Sequence, residues 1–120
     1  MSKRIVLCVD DIMFTSKIAV TAKALNIEIT SVTGNPEEAA GRIRSLNPSA
    51  VLIDLNSKKI NPIALIHVLK SDPAAVCFPI IGFLSHVDID TRAAAVKAGC
   101  DQVLPRSVFV QQLPEILSAI

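Results

Sequence analysis

Three carboxylates stand where two apolar runs stop. Asp10 and Asp11 follow Arg4-Ile-Val-Leu-Cys-Val9, and Asp54 follows Ala50-Val-Leu-Ile53. Acids at the carboxyl ends of buried parallel strands converge outside the sheet, where the ligands of α/β proteins collect. Three carboxylates in one crevice repel each other and raise a pKa unless a cation is bound. Magnesium suits such a place, because it takes oxygen ligands, keeps several waters and completes its shell from phosphate. The acid pair also has a plainer reading, since Asp is favoured at strand-to-helix turns and would cap the next helix. The second strand end, at Asp54, is what argues for a shared site.

The elements that must position these acids alternate along the chain. Continuous Val, Ile and Leu runs of strand length mark parallel strands buried on both faces, and segments of helical period separate them. Arg4 to Val9 is the first strand, and Phe14, Ile18, Ala22 and Leu25 predict a helix over about Phe14 to Leu25. Ile27 to Val32 is a weaker second strand. Asn35-Pro36-Glu37-Glu38 signals a helix start, with a capping Asn, Pro in the first turn and acids facing the dipole. Asn47-Pro48-Ser49 ends that helix before the third strand, Ala50 to Ile53, and a polar loop over Asn56 to Asn61. A helix from Pro62 stops at Asp72-Pro73, and Pro79 to Leu84 is the fourth strand. Asp88 or Asp90 caps an Ala-rich helix through Lys97, and Gly99 supplies its left-handed end. Gln102 to Leu104 is a short last strand, followed by a helix that Pro114 should bend or delay.

Composition limits the function classes. With 120 residues, 51% hydrophobic and 19% charged, the chain reads as one folded domain over 1–120. No apolar run approaches the roughly 18 residues of a membrane span, and no signal peptide is apparent at Ile5 to Val9. A formal charge of +1 and the absence of Trp and Tyr argue against nucleic-acid binding. Cys8, Cys77 and Cys100 are widely spaced among apolar or small residues and read as reduced packing residues. The expected location is the cytoplasm.

Taken together, the motifs resemble the receiver domain of two-component response regulators over the whole chain. The Asp pair after the first strand, Leu52-Ile53-Asp54, Ser85 after Pro79-Ile80-Ile81-Gly82-Phe83-Leu84, and Ala98-Gly99-Cys100-Asp101 occur in family order and spacing. The resemblance implies a flavodoxin-like, doubly wound α/β fold: a five-stranded parallel sheet of order 2-1-3-4-5 flanked by helices. It implies that Asp54 is the phosphoacceptor and that Asp10 and Asp11 hold Mg²⁺, with Asp54 and the backbone carbonyl of Asn56. Ser85 matches the hydroxyl residue that bonds the phosphoryl group; its plainer role is a strand-end hydroxyl. A metal that neutralises the transferring oxygens makes a weak carboxylate nucleophile effective.

Several positions depart from the family pattern. The basic residue after the last strand is Arg106 rather than Lys, preceded by Pro105 and followed by Ser107. A planar guanidinium would clasp phosphate or Asp54 differently from an ammonium, or Arg106 is simply a solvated basic residue. Val103 occupies the aromatic switch position. Ser57-Lys58 and Asn61-Pro62 replace the usual pairs after the acceptor, and His86, which would partly cover the site or be an ordinary surface residue, follows Ser85.

The leading expectation is a receiver that accepts phosphate on Asp54 from a histidine kinase or phosphotransfer protein. A length of 120 residues suggests a stand-alone regulator or relay, or a fragment of a longer one. The alternative is a degenerate receiver acting as a phosphorylation-independent protein-protein interaction module, which Val103, His86 and Arg106 favour. An independent hydrolase fits poorly, because the two acids are adjacent and no cap domain is present. Self-dephosphorylation is expected to be slow, with Asn56 the one polar group near the hydrolytic water and Val87 offering none. A downstream protein or a dimer is expected to use the region 90–119.

Overall fold

The parity of residues along each strand decides which helix covers them. The computed structural model, which describes residues 3–71, 78–85 and 88–120, has strands at Lys3–Cys8 (β1), Ile27–Ser31 (β2), Ala50–Asp54 (β3), Ile80–Leu84 (β4) and Gln102–Pro105 (β5). Between and after them run helices Ile12–Ala24 (α1), Pro36–Leu46 (α2), Pro62–Lys70 (α3), Ile89–Ala98 (α4), Arg106–Gln111 (α5) and Leu113–Ser118 (α6). The sheet order is β2-β1-β3-β4-β5 and every neighbouring pair is parallel, the order implied by the sequence motifs. The expected stop at Asp72-Pro73, and Cys77, His86 and Val87, lie outside the described residues.

Successive strand residues point to opposite faces, so the sheet builds two cores. Val6, Cys8, Val51, Ile53 and Ile80 pack with Ile43 of α2 and Leu65, Ile66 and Leu69 of α3. On the other face Ile5, Leu7, Leu52, Ile81 and Phe83 meet Phe14 and Ile18 of α1, Phe109 of α5 and Leu117 of α6. Every residue of β3 and β4 is buried, which explains why those two strands read as unbroken apolar runs. Cys8 and Cys100 are buried free thiols, and burial pushes the Cys8 thiol up to about 12, as expected for an inert packing residue.

Helix ends follow the capping residues. Asn35, Asn61 and Asp88 accept from the amides of Glu38, Ala64 and Thr91, at 2.9, 3.2 and 3.1 Å. Asp88, not Asp90, is therefore the cap of α4. Asn47 at φ 46° and Gly99 at φ 114° close α2 and α4 in the left-handed region. The spacing of apolar residues placed the start of α1 at Phe14, but the helix begins at Ile12, because Asp11 caps it two residues earlier. The final helix breaks at Gln112 into α5 and α6, with Pro114 in the first turn of α6, where its missing N–H costs nothing.

Candidate functional site

Strand register brings the sequence-predicted residues to one edge of the sheet. Cys8 pairs with Ile53, Asp54 with Phe83, and Leu84 with Pro105. The residues just beyond these ends, Asp10, Asp11, Ser85 and Arg106, therefore surround Asp54. Asp54 shares the parity of Leu52, which directs it to the face covered by α1 and α5.

Asp10 is held by the loop that follows the acceptor strand. Its Oδ2 accepts from the Ser57 hydroxyl at 2.8 Å and from the amides of Lys58 and Lys59 at 3.0 and 3.3 Å. Ser57 Oγ in turn accepts from the Ile60 amide at 3.1 Å, so one hydroxyl fixes both the acid and the turn. Burial alone would raise the Asp10 pKa, but these hydrogen bonds and the Lys59 charge outweigh it and hold the carboxyl below its ordinary value. Asp10 Oδ1, in contrast, is buried and has no hydrogen-bond partner among the described residues.

Asp11 is committed on both oxygens. Oδ1 accepts from the Met13 and Phe14 amides at 2.9 and 3.2 Å, and Oδ2 from the Arg106 guanidinium at 2.9 Å. The Arg106 hydrogen bond is the leading reason that its pKa lies below the ordinary carboxylate value, aided by the two helix amides. Arg106 also lies over the Phe14 ring, 4.2 Å from its centroid. Of the roles the sequence left open to Arg106, clasping phosphate, clasping Asp54 or standing solvated, the structure shows neither a bond to Asp54 nor a free side chain; Arg106 is the ion-pair partner of Asp11.

Asp54 ends β3 and is only 8% exposed. Burial raises its pKa, opposed by the Asn56 amide, which donates to Oδ1 at 2.9 Å, and by the Arg106 charge, while Asp10 and Asp11 add to the rise. Oδ2 has no hydrogen bond among the described residues. Asn56 reaches across the site with its side chain, whose Oδ1 accepts from the Ser85 amide at 2.6 Å and from its hydroxyl at 3.0 Å. The side-chain roles of Asn56 and Ser57, and the seat of Arg106 on Phe14, escaped the sequence reading. The run of polar residues after Asp54 was their only signal.

The donor set fits a hard divalent cation in part. Among the described residues the buried Asp10 Oδ1 has no hydrogen-bond partner and Asp54 Oδ2 accepts no hydrogen bond, and free carboxylate oxygens are what an oxygen-seeking cation takes. Among the described residues no three His, Cys, Asp or Glu side chains form a cage by themselves. Asp10 and Asp54 would hold Mg²⁺, with the Asn56 carbonyl; Asp11 is occupied by Arg106.

Val103 at the switch position is half-buried and packs against the α2 and α3 core. With Leu84, Ile89, Leu104 and Pro105 it lines a pocket of about 70 Å³ between α4 and β5. Among the described residues no helix is long and apolar enough to cross a membrane.

The same fold is found in solved receiver domains of response regulators. The signal receiver domain of a response regulator from Bermanella marisrubri has a TM-score of 0.81 to this chain at 21% identity, covering 99% of this chain and 98% of its own. The receiver domain of a sensor histidine kinase from Pseudomonas aeruginosa, described with a magnesium ion coordinated in its active-site cleft, gives 0.81 at 18% identity, with 99% and 97% covered. The phosphorylated cyanobacterial phytochrome response regulator RcpA gives 0.79 at 21% identity, with 99% and 91% covered. No protein-family model matches the sequence, and no curated protein does.

Proposed function

We propose that this protein is a two-component signalling receiver that accepts a phosphoryl group on Asp54 from a histidine kinase or phosphotransfer protein in a Mg²⁺-dependent reaction in the cytoplasm. The observation that carries this reading is Asp54 itself. It is the only charged or polar residue buried among those described, and its Oδ2 accepts no hydrogen bond from them. A buried carboxylate left this way is costly for stability alone. As a nucleophile it has a use: Oδ2 forms the O–P bond as the donor's N–P bond breaks, and the electron pair of the broken bond stays on the imidazole nitrogen. The product is an acyl phosphate. Mg²⁺ held by Asp10, Asp54 and the Asn56 carbonyl would neutralise the charge on the transferring oxygens.

Ser85 is then the hydroxyl that bonds the phosphoryl group, and Arg106 the positive charge on the opposite rim. Ile12 and Met13, 80% and 83% exposed in the first turn of α1 beside the acids, favour a protein as donor over a small molecule. Exposed Val96 lies on α4, so a downstream partner or a dimer through the region 90–119 belongs to the same reading. The activity is that of a signalling acceptor with slow self-dephosphorylation and not of a metabolic enzyme.

Intact-protein mass after incubation with a small acyl-phosphate donor tests the proposal. A single phosphoryl adduct that needs Mg²⁺ and is absent from Asp54→Asn supports it. The second reading, a phosphorylation-independent interaction module, is favoured by the bonds that already occupy Asp10 and Asp11. It wins if wild type stays unmodified by small donors and by competent kinases while still binding a partner.

A further inference from the structure

We propose that Arg106 is a resident cation that competes with Mg²⁺ at Asp11, so that this one side chain sets the metal affinity of the pocket. The proposal rests on the receiver reading for the presence of the metal, and on the local geometry for everything else. Of the lone pairs of Asp11, those of Oδ1 take the Met13 and Phe14 amides at 2.9 and 3.2 Å, and Oδ2 takes the guanidinium at 2.9 Å. A divalent ion approaching Oδ2 would share a single oxygen with an existing positive charge. Like charges that close repel strongly, so guanidinium and metal each weaken the other's hold on Asp11.

Two features keep the guanidinium where it is. The Phe14 ring lies beneath it at 4.2 Å, and that ring is itself packed against Phe83 and Phe109, with centroids 4.8 and 5.9 Å away. Arg106 also begins α5, the positive end of a helix, where a cation is disfavoured unless an acid answers it. Asp11 is that acid. Being planar and permanently charged, the guanidinium can bond a carboxylate and stack on a ring together, which an ammonium does less well. Asp10 Oδ1, without a hydrogen-bond partner among the described residues, is a carboxylate oxygen still free to take a cation. A cation can still enter, but on terms that Arg106 sets. By linkage the two effects are equal: whatever the ion pair takes from Mg²⁺ affinity, bound Mg²⁺ takes from the ion pair.

The test is Mg²⁺ binding measured by calorimetry or NMR titration of the full chain with no phosphodonor present, so failure of phosphoryl transfer to Asp54 is registered separately, by mass. Arg106→Gln, which loses the charge but keeps a polar side chain, and Arg106→Ala are both expected to bind Mg²⁺ at least about fivefold tighter than wild type, the low end of ordinary coupling between linked sites. In wild type, saturation with Mg²⁺ should abolish the ring-current shift of the Arg106 side-chain protons over Phe14. Equal or weaker binding by a folded Arg106→Gln, or no binding by it at all, overturns the proposal. So does a wild-type protein that binds Mg²⁺ while those shifts stay in place.

Discussion

Asn56 joins Ser85 to Asp54. Its side-chain Oδ1 accepts from the Ser85 amide and hydroxyl at 2.6 and 3.0 Å, while its own amide donates to Asp54 Oδ1 at 2.9 Å. Removing the acceptor in Asn56→Ala should move the Ser85 amide resonance upfield, speed its hydrogen exchange and lower stability by about 1–2 kcal/mol for two lost hydrogen bonds. Asn56→Asp retains an acceptor and should restore the resonance. A Ser85 amide indifferent to both changes would show that the bridge does not exist in solution.

The raised Asp54 pKa makes a signed prediction for metal-free protein. Burial raises the folded value above the unfolded one, so folding favours the protonated form and wild type loses stability as pH climbs between the two. Below about pH 4, near the ordinary aspartate value, wild type and Asp54→Asn should melt together. Toward pH 7 the variant should pull ahead, by roughly 4 °C in Tm for each kcal/mol in a domain of this size. Asp10 and Asp11, whose pKa values are lowered, lose their contribution as pH falls, but in both proteins alike. Thermal melts in chelator across that range decide it, and a variant that is less stable at pH 7 contradicts it.

Ser57 is predicted to matter more than an ordinary loop serine. It donates to Asp10 Oδ2 at 2.8 Å and accepts from the Ile60 amide at 3.1 Å. Ser57→Ala should cost about 1–2 kcal/mol, since a hydrogen bond to a charged group is worth more than a neutral one. An unchanged urea midpoint would refute this.

Gly82 is required by close approach. A Cβ there would stand 2.8 Å from Leu55 Cδ1 and 2.9 Å from Cγ, in the core shared with α2 and α3. Gly82→Ala should therefore destabilise by about 1–3 kcal/mol, the usual range for overpacking. Equilibrium unfolding measures it, and the companion change Leu55→Ala should relieve part of the loss. A variant as stable as wild type would mean that Leu55 repacks freely.

Strand placement was legible because β3 and β4 are buried on both faces and write themselves as unbroken apolar runs. The ends of those runs put Asp54 and Ser85 on the correct edge, and motif order implied the sheet order. The start of α1 was not legible from apolar spacing, because a cap acts through one oxygen and leaves no periodic trace. Nor was the partner of Asp11, which is 95 positions away along the chain. Ion pairs of that kind depend on where two loops meet in space, and a guanidinium looks the same in sequence whether solvated or stacked. The loop around Asp10 was missed for the same reason: two of its three donors are backbone amides, which every residue carries.

The ring cluster beneath Arg106 gives the protein an optical signature of its own. The chain has no Trp and no Tyr, so its near-ultraviolet aromatic signal comes from four phenylalanines. Three of them, Phe14, Phe83 and Phe109, are stacked or tilted within 5.9 Å of one another, and the guanidinium rests on the first. Closely coupled rings in a fixed chiral setting give narrow circular-dichroism bands that respond to small changes in geometry. A reporter that is usually installed by adding a tryptophan is therefore built into the wall of the acid pocket. Its spectrum should register any event that lifts the guanidinium or slides α1 against α5, with no label attached.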